Sequence, residues 1–190
     1  MKKTLLYLFV VFAFSLNAQF TKQEFKEIKK KAGGFFSGVI IQHDRHAERI
    51  WISSKPVKFE KGFIQIYYGL KKTEGKIEKL PMRIKVHYQN SSWIFFEEVS
   101  FTFSFQKDDD KFSKVSYKVN KPLRNSSTYI REDSDDILNS DVFDFLKYAS
   151  ETKRWINIRL SGNEYVQYVI LGNSLKNSIP RLLKVYDLNF

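Results

Sequence analysis

The chain reads as mainly β, an antiparallel sandwich with short helices near the N-terminus and around a C-terminal hairpin; an α+β arrangement is the near variant. Three observations predict this. Apolar residues alternate with polar ones over Leu80–Phe105, Phe112–Val119 and Arg154–Leu171. Side chains on a strand point to opposite faces in turn, so this period marks one buried and one wet face. The supply of Phe, Tyr, Ile and Val suits pleated, half-buried surfaces. Helical spacing is confined to a few short stretches.

Taken in order, Met1-Lys2-Lys3 is basic, Leu5–Phe14 is an unbroken apolar run, and Ser15-Leu16-Asn17-Ala18 follows. That order predicts a secretory signal peptide over residues 1–18. The run is shorter than the roughly 20 residues a membrane span needs. The expectation is a chain exported to the periplasm or beyond, with no transmembrane helix in its mature form. There is no cysteine, so thiol catalysis, cysteine metal sites and disulfides are excluded.

Residues 19–34 predict a basic helical leader. Thr21 and Glu24 have capping-box spacing, Phe20 and Phe25 the spacing of a hydrophobic staple. Lysines crowd the rest, and Gly33-Gly34 ends it. One β-rich domain is expected over 35–190. Phe35–Ile41 and Glu48–Ser53 read as strands with His43-Asp44-Arg45-His46 between them. Gly62–Leu70 is another strand, and Lys71–Lys79 a polar loop around Gly75.

Leu80–Phe105 reads as a hairpin turning at Gln89–Ser92. Its first arm turns Met82, Ile84, Val86 and Tyr88 inward and Arg83, Lys85 and His87 outward. Its second arm places Trp93, Phe95, Val99, Phe101, Phe103 and Phe105 on one face, interrupted by Glu97. Asp108–Asp110 lacks the spacing of a calcium loop. Pro122–Ser140 is polar and irregular, with an acidic cluster at Asp133, Asp135 and Asp136. A helix is expected over Ser140–Ser150, capped by Ser140. Arg154–Ser161 and Glu164–Leu171 form a hairpin about Gly162-Asn163. A last helix begins near Ser178, with Pro180 in its first turn.

Tyr88, Trp93–Phe96, Ile158-Arg159-Leu160-Ser161-Gly162 and Leu182–Tyr186 resemble a loosely defined group of uncharacterised exported bacterial β-rich domains. The resemblance covers about half the chain. It implies an envelope domain with an added helix, and it implies no activity.

The formal net charge is +11, which favours anionic partners. Export removes nucleic acid from the candidates and leaves an acidic protein or an anionic envelope polymer. The expected contact residues are Arg83, Lys85 and His87 in one strand row, with Trp155 and Arg159 in another. If adjacent, the two rows would form one basic, aromatic-tipped surface. No glycine loop for phosphates appears, no cofactor is expected, and three scattered histidines predict no metal site. The expected function is a non-enzymatic binding or structural module. The alternatives are an envelope hydrolase with a carboxylate acid, for which Glu97 is the candidate, and a small inhibitor or immunity-like protein.

Overall fold

The computed structural model describes residues 19–33, 38–107, 112–126 and 129–190. The expected signal segment and Asp108–Asp110 lie outside the described residues. Strands dominate, and every pairing among the described residues is antiparallel.

The first helix, α1 (Lys22–Lys31), carries the expected capping box: Glu24 N–H bonds Thr21 Oγ1, and the Glu24 carboxylate takes the Thr21 N–H. Its apolar stripe is docked, with Phe20, Ile28 and Ala32 buried in the common core. Strands β1 (Val39–Asp44), β2 (Arg49–Ser54), β3 (Val57–Phe59) and β4 (Gly62–Thr73) follow. The expected polar loop after β4 is instead a hairpin with β5 (Lys76–Lys79). Glu74 and Gly75 at its tip both adopt positive φ, the geometry of a tight two-residue turn.

Strand β6 (Arg83–Asn90) buries Ile84, Val86 and Tyr88 completely, as the alternation predicts. Then the hairpin expectation fails. Strand β7 (Glu98–Phe103) does not pair with β6; the two belong to different sheets. Residues 93–97 are a crossover between them. Ile94 and Phe96 point inward, while Phe95 lies at the surface with a φ of 52°. The inward set is Ile94, Phe96, Val99, Phe101 and Phe103, so the phase shifts at Glu97-Glu98. Phe105 is 76% exposed rather than on the buried face.

Strand β8 (Val115–Lys118) pairs with β7. The stretch expected to be irregular holds β9 (Leu123–Ser126) and β10 (Ile130–Ile137). Helix α2 (Ser140–Glu151) is capped by Asn139, whose Oδ1 accepts the Val142 N–H, and not by Ser140. The hairpin of β11 (Ile156–Ser161) and β12 (Tyr165–Ile170) is as expected, with Glu164 added to its turn. Helix α3 (Gly172–Tyr186) starts earlier than expected, and Pro180 lies in its interior. An interior proline costs a helix about 3 kcal/mol. Burial of Leu175, Ile179 and Leu182 on both sides of it offsets that cost.

The large sheet runs β1-β2-β4-β6-β10-β9, with β3 and β5 also paired to β4. The small sheet runs β12-β11-β7-β8. Helix α3 packs on β1–β4, and α2 packs on α3 and on β8. The Phe145 ring of α2 stacks on Phe103 at 4.7 Å. The core is therefore the space between two sheets, filled along one side by α2 and α3.

Candidate functional site

The outward face of each sheet carries one of the two predicted rows. Arg83, Lys85 and His87 stand on β6 of the large sheet, and Trp155, Asn157 and Arg159 on or beside β11 of the small sheet. Strands β6 and β11 are not neighbours, so the structure does not merge the rows into one surface.

The β6 row meets acids that the sequence analysis left in an irregular segment. In the β6–β10 register, His87 is opposite Asp133 and Lys85 is opposite Asp135. His87 Nδ1 lies 2.8 Å from Asp133 Oδ1. Arg83 Nε donates to Asp135 Oδ1 at 2.8 Å and to the Tyr67 hydroxyl at 3.1 Å. Tyr67 in turn donates to Asp135 at 2.6 Å.

These contacts leave electrostatic traces. Burial pushes the Tyr67 phenol up to about 12, and the Asp135 charge adds to this. Burial alone would lower Arg83, but Asp135 and Tyr67 outweigh it and the guanidinium is held above its ordinary range. Burial pulls Asp133 upward, yet the contact with His87 and the nearby Lys85 and Arg131 bring it below its ordinary value. The β6 row is thus largely neutralised by β10. Lys85 alone of the three makes no ion pair among the described residues.

The β11 row is different. Arg159 is exposed and makes no ion pair among the described residues. Its guanidinium carbon lies 3.8 Å from the centre of the Tyr165 ring. A cation over an aromatic face is attracted by the ring quadrupole and loses little hydration there. Tyr165 is 61% exposed and Trp155 is 50% exposed. Between them Asn157 is oriented from the neighbouring strand β7 and the residue after it: Ser104 Oγ donates to Asn157 Oδ1 at 3.0 Å, and Asn157 Nδ2 reaches Thr102 Oγ1 at 3.4 Å. Opposite Asn157 and Arg159 stand Val169 and Gln167 of β12. The face therefore offers two aromatic rings, two amides and one free guanidinium, held on a paired strand.

Glu97 is exposed. Its backbone joins the ladder ends, with its N–H on Ser161 O and its carbonyl accepting the Val119 N–H. Among the described residues the buried acids are Glu132 and Asp136 of β10. Glu132 accepts the N–H groups of Ile94, Phe95 and Phe96, so its carboxylate serves the crossover. His43 packs against the rings of Phe20 and Phe25. Among the described residues no group of three His, Asp or Glu side chains is placed to hold a metal ion.

One signal for the acidic side of this face was present in the chain. Arg83-x-Lys85-x-His87 and Asp133-x-Asp135 share a period of two with opposite signs, which is the pattern of two paired outward strand faces. Comparison with protein-family models, with curated proteins and with solved structures finds no match.

Proposed function

We propose that the chain is an exported, non-catalytic binding module that takes an acidic polysaccharide on the outer face of its small sheet. The observation that carries this is Arg159, a guanidinium with no carboxylate partner among the described residues, resting on Tyr165 with exposed Trp155 on the same strand face. Sugar rings present C–H faces that pack on aromatic rings and hydroxyls that bond amides, here Asn157 and Gln167. A carboxylate on the polymer pairs with Arg159 in the bidentate geometry that guanidinium favours. From Trp155 to Arg159 the strand rises roughly 13 Å, which gives an elongated polymer more than one point of contact. The apolar segment at residues 5–14 and its basic flank support export.

Affinity electrophoresis tests the reading, with polygalacturonate as the acidic polymer and dextran as the neutral one. The protein should be retarded by polygalacturonate and not by dextran. Arg159→Gln removes a charge-assisted bond of about 1.5–3 kcal/mol and should weaken retardation at least tenfold. Trp155→Ala should weaken it as well, and Arg83→Gln should leave it unchanged. Equal retardation of wild type and Arg159→Gln overturns the assignment of this face.

A further inference from the structure

One row of side chains crosses four strands on the outer face of the large sheet. Lys58 on β3 stands opposite Phe63 on β4, Phe63 opposite His87 on β6, and His87 opposite Asp133 on β10. Neighbouring strands lie about 4.8 Å apart, so Lys58 and His87 are separated by about 10 Å of backbone, with one ring between them. That ring is stacked: Phe63 and His87 lie 5.0 Å apart at 23°.

His87 is held from two sides. Asp133 fixes Nδ1 at 2.8 Å, and Phe63 fixes the plane of the ring. A carboxylate on one ring nitrogen orients the ring and aims the other nitrogen. Nε2 is the nitrogen left over, and no described group bonds it. His87 lines a cleft shared with Lys58, Lys61, Asn90 and Ser91. The acid on this cleft is Glu60, whose charge also bears on Tyr168 of the small sheet. Two lysines on the same cleft as this imidazole repel a metal cation and attract an anion.

The geometry points to an oxyanion site, with a phosphate or sulfate group bound between Nε2 of His87 and the Lys58 ammonium; the form of His87 that binds is the one with both nitrogens protonated, giving Nδ1–H to Asp133 and Nε2–H to the anion. Lys61 at the β3–β4 turn adds a second cation, and the Asn90 amide and Ser91 hydroxyl add neutral donors. The group is either a free ion or an ester carried by a polymer. This site lies on the large sheet and does not use Trp155 or Arg159, so it stands or falls apart from the small-sheet face.

The test is an NMR titration of the protein with inorganic phosphate and with inorganic sulfate, each against chloride at matched ionic strength. Parallel arms use a sulfated polysaccharide and its unsulfated parent. Saturable shifts confined to the amides around Lys58, Lys61 and His87 are expected from the ions, from the sulfated polymer, or from both; the arm that responds names the source. Lys58→Gln, an exposed substitution, should weaken binding roughly tenfold, as should His87→Gln. Arg159→Gln should have no effect. The site is overturned if neither ion nor the sulfated polymer gives saturable shifts, if the unsulfated parent binds equally well, or if Lys58→Gln and His87→Gln both bind as wild type.

Discussion

Glu132→Gln tests how the two sheets are joined. The Glu132 side chain is 0% exposed. Oε1 accepts the N–H groups of Ile94 at 2.8 Å and Phe95 at 3.1 Å, and Oε2 that of Phe96 at 3.0 Å. Arg124 Nε stands 3.6 Å from Oε2. Glutamine has the same shape, and its carbonyl can keep Ile94 and Phe95. Its amide nitrogen then confronts the Phe96 N–H, donor against donor. One buried donor left without an acceptor costs about 1–3 kcal/mol. Exchanging charge-assisted bonds for neutral ones at the other two removes roughly 1 kcal/mol more. The expected loss is about 3 kcal/mol, a large share of the roughly 5–15 kcal/mol a domain has. Glu132→Ala strands all three donors and should lose more. Urea unfolding, followed by tryptophan fluorescence and far-UV circular dichroism, reads this as a lower midpoint at unchanged slope. Glu97→Gln, on the exposed neighbouring acid, should stay within about 0.5 kcal/mol of wild type. If Glu132→Gln unfolds at the same urea concentration as Glu97→Gln, the carboxylate does not hold the crossover.

Gly162→Ala should be severely destabilising, since a Cβ there would lie 2.1 Å from the Phe95 carbonyl oxygen and 2.3 Å from that of Ile94; a fall in melting temperature no larger than that of Gly75→Ala, where a Cβ meets open space, counts against this packing. Asp136→Asn should stabilise at neutral pH by up to about 1 kcal/mol, because Oδ1 keeps the Asn120 N–H while a buried charge is removed. Burial raises the Asp136 pKa, so the folded state holds this proton more tightly and the wild type loses stability as pH rises through that window. The advantage of the variant should therefore vanish in acid and grow toward neutrality, and a difference independent of pH would refute it. The Tyr67 phenol ionises near 12 when folded, against 10.0 for the free side chain, so the unfolded state sheds its proton first and stability falls from about pH 10 upward. Tyr67→Phe should flatten that fall in a melting-temperature series, and an unchanged slope would show that Tyr67 takes no part.

Elements whose inward residues are apolar were legible in the chain. Ile84, Val86 and Tyr88 of β6, Ile156, Ile158 and Leu160 of β11, and the Thr21–Glu24 box of α1 stand where periodicity put them. Strand β10 was missed because its inward positions are Glu132, Ser134 and Asp136. These side chains bind backbone N–H groups or face one another, so the polar–apolar contrast that marks a strand is absent. The crossover was missed for a related reason. Residues 93–96 alternate like a strand, but three of their N–H groups go to a side chain 36–38 positions away, which local pattern cannot show. The start of α3 was missed because Pro180 signals a boundary, and only packing around Leu175 and Ile179 overrides it.

The same strand decides where the net positive charge can act. A formal +11 is a property of composition, whereas the potential over a face is a property of register. Pairing of β6 with β10 sets Asp133 and Asp135 against His87 and Lys85, and Arg83 reaches Asp135. A slip of one residue would turn Asp133 and Asp135 into the core and bring Glu132 and Asp136 out. It would bury two unpaired carboxylates and release the Ile94–Phe96 backbone together, so the register is held at both faces of β10 at once. What neutralises the large-sheet row is thus the same pairing that secures the core, and Arg159 on the molecule's other sheet has no acid partner among the described residues because the strands beside it, β12 and β7, place Gln167 and Ser100 opposite it rather than acids.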